Sequence, residues 1–372
     1  MLTLYKNLTI KTNTLAKFII AGSAFLFFSN ALAEPYLAVR SGLKCVACHV
    51  NPTGGGKRNE FGSAYSQTSL IEKKLNDDDK AWHGRINDYL AFGGDIRVNA
   101  ELTRTPNQRD TSEFKLDETL LYFEGNIIPG RATFYFDERI APGSALNREA
   151  YALLWTKSKN AYLKAGRFFL ASGYRLEDDG AFIRQVTGIN FNSSDTGVEA
   201  GYESPAWSTS FSITNGTNGG DEIDNKKQYN LRTEYIQPTW RLGGGVNHNA
   251  GDNGSDRTIA NIFTGFKLGG LDWLGEIDYI DDQSGTTDLT QAIYYLEATL
   301  EYQKGHNFKV SLEYLDPNTD VDEDHQTRTS LVWEYSPFQF TQLRTGLRLY
   351  DGIPQNDFQN REEFFVQLHN YF

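Results

Sequence analysis

Residues 293–302, which read IYYLEATLEY, alternate between two kinds of side chain. One parity is apolar or aromatic throughout, and the other is polar at Glu297, Thr299 and Glu301. Because successive side chains of a β-strand point to opposite faces, this pattern predicts a strand with one apolar and one polar face. Residues 131–136 and 309–314 alternate in the same way.

The same unit repeats from about Arg85 to the C-terminus, and its connections alternate between short and long. Short turns are predicted at residues 128–130, 158–160, 204–206, 237–239, 269–270, 304–306 and 336–338. Long loops are predicted near Asn107, Ser144, Asp179, Gly219, Gly254, Ser284, Asp320 and Gln355. This count predicts sixteen strands with both ends of the chain on the short-turn side, the bacterial outer-membrane layout.

We therefore predict an all-β fold in which residues 81–372 form a sixteen-stranded antiparallel, porin-like outer-membrane β-barrel. Its short turns would face the periplasm. A soluble β-sandwich or propeller is the alternative, but no fixed repeat of about 40 residues is visible.

Composition limits the function classes. The 372 residues carry 48 acidic and 36 basic side chains, with a formal net charge of −12. A nucleic-acid partner is not expected, because it would require a basic surface. The mean hydropathy of −0.50 excludes a multi-helix membrane protein. The 34 glycines, 24 phenylalanines and 20 tyrosines suit an all-β chain.

Residues 1–33 have the features of a secretory signal peptide. Basic residues precede a short apolar run that ends at Ala31-Leu32-Ala33, an A-x-A cleavage pattern. The run is short for a spanning helix, which needs about 20 residues, so an uncleaved anchor is the weaker alternative. We predict export and a mature chain that begins at Glu34.

Both cysteines of the chain lie in Cys45-Val46-Ala47-Cys48-His49. C-x-x-C-H is the attachment signature of c-type haem, in which two thiols bind the haem covalently and the histidine binds the iron. A C-x-x-C disulfide is the alternative, but it leaves His49 without a role. We predict a small monohaem cytochrome c segment at residues 34–80, with one covalent haem c on Cys45 and Cys48 and His49 as an axial ligand.

The second axial ligand is left open. The only methionine is Met1, in the predicted signal peptide, so a methionine-ligated haem is excluded for the mature chain. Another histidine, a weaker ligand such as Lys or Asn, or an open position remain. His83 is the candidate nearest in sequence, and a solvent-exposed linker histidine is the alternative interpretation of it.

The predicted long loops are acidic. One cluster contains Asp320, Asp322, Glu323 and Asp324. Carboxylates select hard cations and raise the local cation concentration at a channel mouth, although ordinary solvated loop charge is the better explanation of any single cluster. The longest connection, residues 171–196, is expected to fold inward as a constriction.

Taken together, the chain resembles the fused outer-membrane monohaem cytochrome–porins, which are linked to iron oxidation and extracellular electron transfer. The resemblance rests on the exported lead into Cys45-Val46-Ala47-Cys48-His49, the following Pro52, the segment at residues 61–65 and the sixteen-stranded barrel. It implies that Cys45 and Cys48 carry the haem, that His49 is its proximal ligand, and that Fe(II) is a plausible electron donor.

Three functions agree with these features. The first is electron transfer across the outer membrane, with periplasmic cytochromes as partners and extracellular Fe(II) or another compound as donor. The second is a cation-leaning diffusion porin whose haem segment is a plug or a sensor. The third is a barrel that docks separate cytochromes. The haem segment is expected at the periplasmic side of the barrel or inside its lumen, which is wide enough in barrels of this size.

Overall fold

The computed structural model describes residues 34–75, 81–189, 193–252, 255–284 and 288–372. The predicted signal peptide, the end of the predicted cytochrome segment at residues 76–80 and the loop position Gly254 lie outside the described residues. None of the helices in the described residues is long and apolar enough to cross a membrane.

Sixteen antiparallel strands form one closed barrel. Each strand pairs with its neighbours in sequence, and β1 pairs with β16 from Asp95 opposite Tyr371 to Arg104 opposite Glu362. The strands are β1 (Leu90–Arg104), β2 (Thr111–Ile128), β3 (Ala132–Ala141), β4 (Leu146–Trp155), β5 (Ala161–Phe168), β6 (Asp195–Glu203), β7 (Trp207–Thr214), β8 (Gln228–Ile236), β9 (Trp240–Asn249), β10 (Ser255–Leu268), β11 (Leu271–Ser284), β12 (Asp288–Gln303), β13 (His306–Asp316), β14 (Gln326–Phe338), β15 (Thr341–Asp351) and β16 (Glu362–Tyr371). The predicted sixteen-stranded barrel is confirmed.

The two parities of β12 separate as predicted. Tyr294 and Leu296 are 48% and 41% exposed on the outer face, whereas Glu297 and Thr299 are 3% and 0% exposed on the lumen side. The other strands repeat this arrangement, with apolar side chains such as Leu312 outside and charged side chains inside. The outer wall of the barrel is therefore apolar, whereas the inner wall combines polar and charged side chains with an apolar cluster that includes Phe263, Ile280 and Ile293.

Three of the predicted connections are wrong. The loop predicted to be long near Ser144 is short, since β3 ends at Ala141 and β4 begins at Leu146. The turn predicted at residues 336–338 lies within β14, and the chain reverses at residues 339–340. The proline there is tolerated because the pairing of β14 with β15 is irregular between Tyr335 and Phe338. The connection predicted to be long near Ser284 is short, since Ser284 ends β11, where it still pairs with Ser255, and β12 begins at Asp288.

Residues 34–75, here called the lumen segment, lie inside the barrel. They contain three short helices, α1 (Pro35–Ser41), α2 (Cys45–Cys48) and α3 (Glu60–Thr68). Polar and aromatic contacts join the segment to strands on all sides of the lumen, near the short-turn end: Tyr36 to Glu334, Arg40 to Asp272, Lys44 to Glu203, Asn51 to Glu149, Lys57 to Glu124 and Arg58 to Tyr371.

The connection between β5 and β6 enters the lumen, as predicted for the longest loop. Residues 169–189, here called the inward loop, include the short helix α4 (Phe182–Gln185). The backbone N–H of Tyr174 donates to Glu276 at 2.6 Å, and that of Phe182 donates to Glu313 at 2.7 Å. Arg175 Nη1 donates to the carbonyl oxygen of Gly54 at 2.8 Å. The inward loop therefore packs on the lumen segment as well as on the wall.

Candidate functional site

The C-x-x-C-H sequence forms one helical turn inside the barrel. Cys45 and Cys48 begin and end α2, and the backbone N–H of His49 donates to the carbonyl oxygen of Cys45 at 3.0 Å. Both cysteines are free thiols. Burial raises the pKa of the Cys45 thiol and raises the pKa of Cys48 to about 11, so both thiols are protonated at neutral pH.

Asn59 holds this turn in place. Its Nδ2 donates to the carbonyl oxygens of Val46 and Ala47, each at 3.1 Å, and to that of His49 at 3.3 Å. Its Oδ1 accepts from the backbone N–H of Gly62 at 2.9 Å, which caps the N-terminus of α3. One side chain therefore joins the haem-motif turn to the helix that packs against it.

Two glycines allow the backbone to pack closely around the cysteines. A Cβ at Gly62 would lie 2.1 Å from the carbonyl oxygen of Cys48. Gly54 has a φ of +95°, and a Cβ there would lie 3.3 Å from the Cβ of Cys45. Gly54 begins a run of three glycines between the bridged residues His49 and Arg58. This glycine-rich stretch is therefore a tight turn beside the thiols.

His49 is 7% exposed, and its Nδ1 atom is buried without a hydrogen-bond partner. Burial, together with the nearby charges of Arg58 and Arg175, lowers the pKa of this imidazole to about 3. The ring is therefore neutral at physiological pH. Neutral imidazole is the form that binds metals.

Two cavities adjoin His49. The first, here called the thiol cavity, is partly open to solvent and is lined by Cys45, Cys48, His49 and apolar or aromatic residues that include Tyr65 and Tyr174. The second, here called the His83 cavity, is also partly open to solvent and is lined by His49 and His83. Open space therefore adjoins His49 both beside the two thiols and beside His83.

His83 is placed beside the lumen segment by Gln67. The backbone N–H of Trp82 donates to Oε1 of Gln67 at 2.9 Å, which ties the residues before β1 to α3. His83 is half-buried, and its Nδ1 has no hydrogen-bond partner among the described residues. The structure therefore brings the predicted proximal and distal histidines to one cavity.

The other histidines have different surroundings. His248 lies on β9 with Nδ1 at 2.9 Å from Oγ1 of Thr258, and His325 stacks on Tyr314. His306 stacks on Tyr335 at the start of β13, and His369 lies on β16 with its ring 3.6 Å from Asp95. None of these four lines the cavities beside His49.

The residues at this site fit a covalently attached haem. The motif supplies two thiols and a buried, neutral imidazole with an unpartnered ring nitrogen, and all three side chains line the thiol cavity. Within the described residues, no cluster of three or more His, Cys, Asp or Glu side chains is arranged to hold a metal ion directly. The acidic residues Asp320, Asp322 and Glu323 lie exposed in the connection between β13 and β14.

Sequence reasoning missed three residues of the site: Asn59, Arg58 and Arg175. Asn59 could have been found, because an asparagine before Glu60-Phe61 is a helix N-cap signal. The two arginines could not, because one follows the glycine turn and the other lies more than a hundred residues away in the inward loop.

No protein-family model and no curated protein sequence matches the chain. Solved structures do. An anion-selective porin from Comamonas acidovorans matches with a TM-score of 0.62 and 11% identity, over 76% of this chain and 99% of the porin. The fold is that of a porin. A loop-deletion mutant of OmpT, an outer membrane protein of Vibrio cholerae, matches with a TM-score of 0.60 and 11% identity, over 77% of this chain and 100% of OmpT. OprB of Pseudomonas putida matches with a TM-score of 0.58 and 11% identity, over 77% of this chain and 94% of OprB. The porin fold thus accounts for the barrel of this chain. About a quarter of the chain has no counterpart in these structures.

Proposed function

We propose that this chain is an outer-membrane electron-transfer protein, in which a porin-fold barrel holds a covalent c-type haem on Cys45 and Cys48 with His49 as an axial ligand. The observation that carries the proposal is the position of the motif. The C-x-x-C-H turn lies inside the barrel, and its two thiols and its imidazole line the thiol cavity. A porin needs no such turn in its lumen, whereas a redox carrier that crosses the membrane does.

The outer surface supports a membrane location. Its apolar side chains face outward on successive strands, as lipid-facing residues of outer-membrane barrels do. Trp207, Trp240 and Tyr302 are exposed beside short turns, at positions where such barrels carry aromatic girdles. Proteins with the same fold include an outer membrane protein of Vibrio cholerae. These features agree with a barrel that spans the outer membrane with its short turns in the periplasm.

A haem at this site supplies a one-electron carrier inside the apolar band of the barrel, which is about 25 Å tall in outer-membrane proteins. The protein positions the thiols and the axial imidazole for this carrier. Asn59 and Gly62 hold the thiol-bearing turn against α3, and burial keeps the His49 ring neutral. His83 is our proposed second axial ligand, because it lines a cavity together with His49.

The proposed route needs a donor on one side and an acceptor on the other. We propose extracellular Fe(II) or another small reductant as donor and a periplasmic cytochrome as acceptor, in line with the resemblance to the cytochrome–porin family. The exposed carboxylates of Asp320, Asp322 and Glu323 would concentrate cations near the long-loop end.

The test uses vesicles that contain the full mature protein and an enclosed, oxidised soluble c-type cytochrome. A membrane-impermeant reductant, and separately Fe(II), is added outside under anaerobic conditions. The proposal predicts reduction of the enclosed cytochrome with the native protein and not with Cys45→Ser/Cys48→Ser, a barrel that cannot attach haem. Native protein that attaches haem but leaves the enclosed cytochrome oxidised would overturn the proposal.

A second candidate is a diffusion porin whose lumen segment is a plug. The observation that favours it is the fold itself, since the matching structures include an anion-selective porin. This function predicts solute-dependent ion conductance through the native protein and no dependence on the two cysteines. Planar-bilayer recordings of the native protein and of Cys45→Ser/Cys48→Ser distinguish the two candidates.

A further inference from the structure

The two cavities beside the haem motif meet at a boundary made of five residues. The residues that line both cavities are His49, Gly55, Arg58, Ser66 and Arg175. Two of the five are guanidinium groups, and two others are small. Positive charge is therefore concentrated beside the proposed axial histidine, where the two cavities join.

Arg175 reaches this boundary from the inward loop. Its Nη1 donates to the carbonyl oxygen of Gly54 at 2.8 Å, and its guanidinium lies 4.5 Å from the centre of the Phe169 ring. Gly55 permits this approach, because a Cβ at that position would lie 2.5 Å from Cζ of Arg175. The guanidinium is thus seated directly on the glycine turn beside the thiols.

Arg58 reaches the boundary from the lumen segment. Its backbone pairs with that of His49, and its guanidinium lies 3.8 Å from the centre of the Tyr371 ring on β16. Arg58 and Arg175 therefore come from two separate parts of the chain, and both line the two cavities that adjoin His49.

Two further arginines, Arg232 and Arg241, line the thiol cavity but not the His83 cavity. Each forms an ion pair with Glu234 at 3.2 Å. Arg241 also donates to the carbonyl oxygens of Ala38 and Leu43. Arg241 thus fixes the lumen segment to β9, whereas Arg232 on β8 donates to the carbonyl oxygen of Gly173 in the inward loop at 3.2 Å. Neither arginine belongs to the boundary that the two cavities share.

We infer that Arg58 and Arg175 bind the carboxylate groups of the attached tetrapyrrole and hold its iron at a raised reduction potential. This inference rests on the proposed function. Guanidinium groups bind carboxylates in a two-point fork that a lysine ammonium cannot reproduce. Positive charge near the iron favours the reduced state, which carries one positive charge fewer.

The experiment measures the reduction potential of the purified full-length protein with attached haem, by mediated spectroelectrochemical titration. The variants are Arg58→Gln and Arg175→Gln, which remove the charge, and Arg58→Lys and Arg175→Lys, which keep it but lose the fork. The control is Arg85→Gln, since Arg85 is ion-paired with Glu60 and Asp88 and lines neither cavity. Covalent haem content is measured on every sample by the visible spectrum of the denatured protein.

Each Gln variant is expected to shift the reduction equilibrium about tenfold toward the oxidised form, which corresponds to about 59 mV for one electron. Each Lys variant recovers only part of the shift, and Arg85→Gln leaves the potential unchanged. If a Gln variant attaches no haem, its reduction potential cannot be measured, and the potential of the Lys variant at the same position decides instead.

Two results would overturn the inference while leaving the proposed function intact. One is an unchanged potential in haem-loaded Gln variants, and the other is full recovery by Lys, which would show a plain charge effect without a carboxylate fork. Absence of covalent haem from the native protein would instead remove the proposed function together with this inference.

Discussion

Asn51 of the lumen segment donates from Nδ2 to Oε1 of Glu149 on β4 at 3.1 Å, and both side chains are almost fully buried. Oδ1 of the same asparagine accepts from Nζ of Lys164 on β5 at 3.3 Å. Lys164 is itself paired with Glu199 at 2.7 Å. One neutral side chain of the lumen segment thus sits within a buried set of charges on the barrel wall.

Replacing Asn51 is expected to loosen the lumen segment. Asn51→Leu removes the hydrogen bonds with Glu149 and Lys164 and two more from Thr53. Each buried polar group left without a partner costs about 1–3 kcal/mol. Asn51→Asp is expected to cost more, because it places a second carboxylate beside Glu149. Limited trypsin digestion of the folded protein measures the effect as faster cleavage within residues 34–75. Asn107→Asp in the exposed connection after β1 is the control, and cleavage of both Asn51 variants at the native rate would contradict the prediction.

Asn59 has two roles that a pair of variants separates. Asn59→Asp keeps the oxygen that caps α3 but loses the donor to Val46, Ala47 and His49, whereas Asn59→Ala loses both. The cap alone is worth about 1 kcal/mol. In haem-free protein, a maleimide is expected to react with the two thiols slowly in the native protein, faster in Asn59→Asp and fastest in Asn59→Ala. Identical rates for Asp and native protein would show that the three donated hydrogen bonds do not hold the turn.

Gly62→Ala is expected to displace α3 from the cysteine turn. The added methyl group would lie 2.1 Å from the carbonyl oxygen of Cys48, and overpacking of this kind costs about 1–3 kcal/mol. The expected result is a lower yield of covalent haem with an unchanged, heat-resistant barrel on gels. Ser63→Ala, the adjacent position on the same helix, is the control. Normal haem content in Gly62→Ala would contradict the expected displacement.

The lumen segment is expected to block ion flow. Arg40 binds Asp272 at 2.6 Å and Lys44 binds Glu203 at 2.8 Å, at two separate places on the wall. The double variant Arg40→Ala/Lys44→Ala is expected to show frequent open events in planar bilayers, where the native protein shows few. Arg85→Ala is the control, because it also removes a positive charge but leaves the Arg40 and Lys44 contacts with the barrel wall intact. Large, steady conductance of the native protein would show that the segment leaves a continuous water path.

His83 is expected to be the second axial ligand of the haem-loaded protein. His83→Ala should therefore change the visible spectrum and let added imidazole bind to the iron, which the native protein resists. His248→Ala, on β9 and bonded to Thr258, is the control. A native spectrum for His83→Ala would exclude His83 as a ligand and leave the second position to another group or open.

The barrel could be predicted from the sequence because its signal is local. The alternation at residues 293–302 needs only the two-residue period of a strand, and the structure places its two parities on opposite faces. The errors occurred where local signals mislead. Pro337 suggested a turn, but the irregular ladder beside it accommodates a proline, and Ser284 continues a pairing that its sequence neighbours did not reveal.

Only the residues of the C-x-x-C-H motif could be assigned to the site from the sequence. Cys45, Cys48 and His49 lie within five residues, so their arrangement on one turn follows from the sequence. The neighbours that decide its electrostatics do not, since Arg175 arrives from the inward loop and Tyr371 from the last strand. These contacts depend on the closure of the barrel, which no local pattern encodes.

That closure also sets an order of events. The seam between β1 and β16 is made by the last residues of the chain, where the backbone N–H of Phe372 donates to the carbonyl oxygen of Gly94 at 3.0 Å. Once this seam forms, Cys45 and Cys48 lie inside a complete cylinder. If the proposed haem is attached to these thiols, we expect its attachment to precede closure of the barrel, because an attaching enzyme reaches an open chain more easily than a segment held inside a cylinder. The proposed function therefore implies that haem attachment comes first and membrane assembly second.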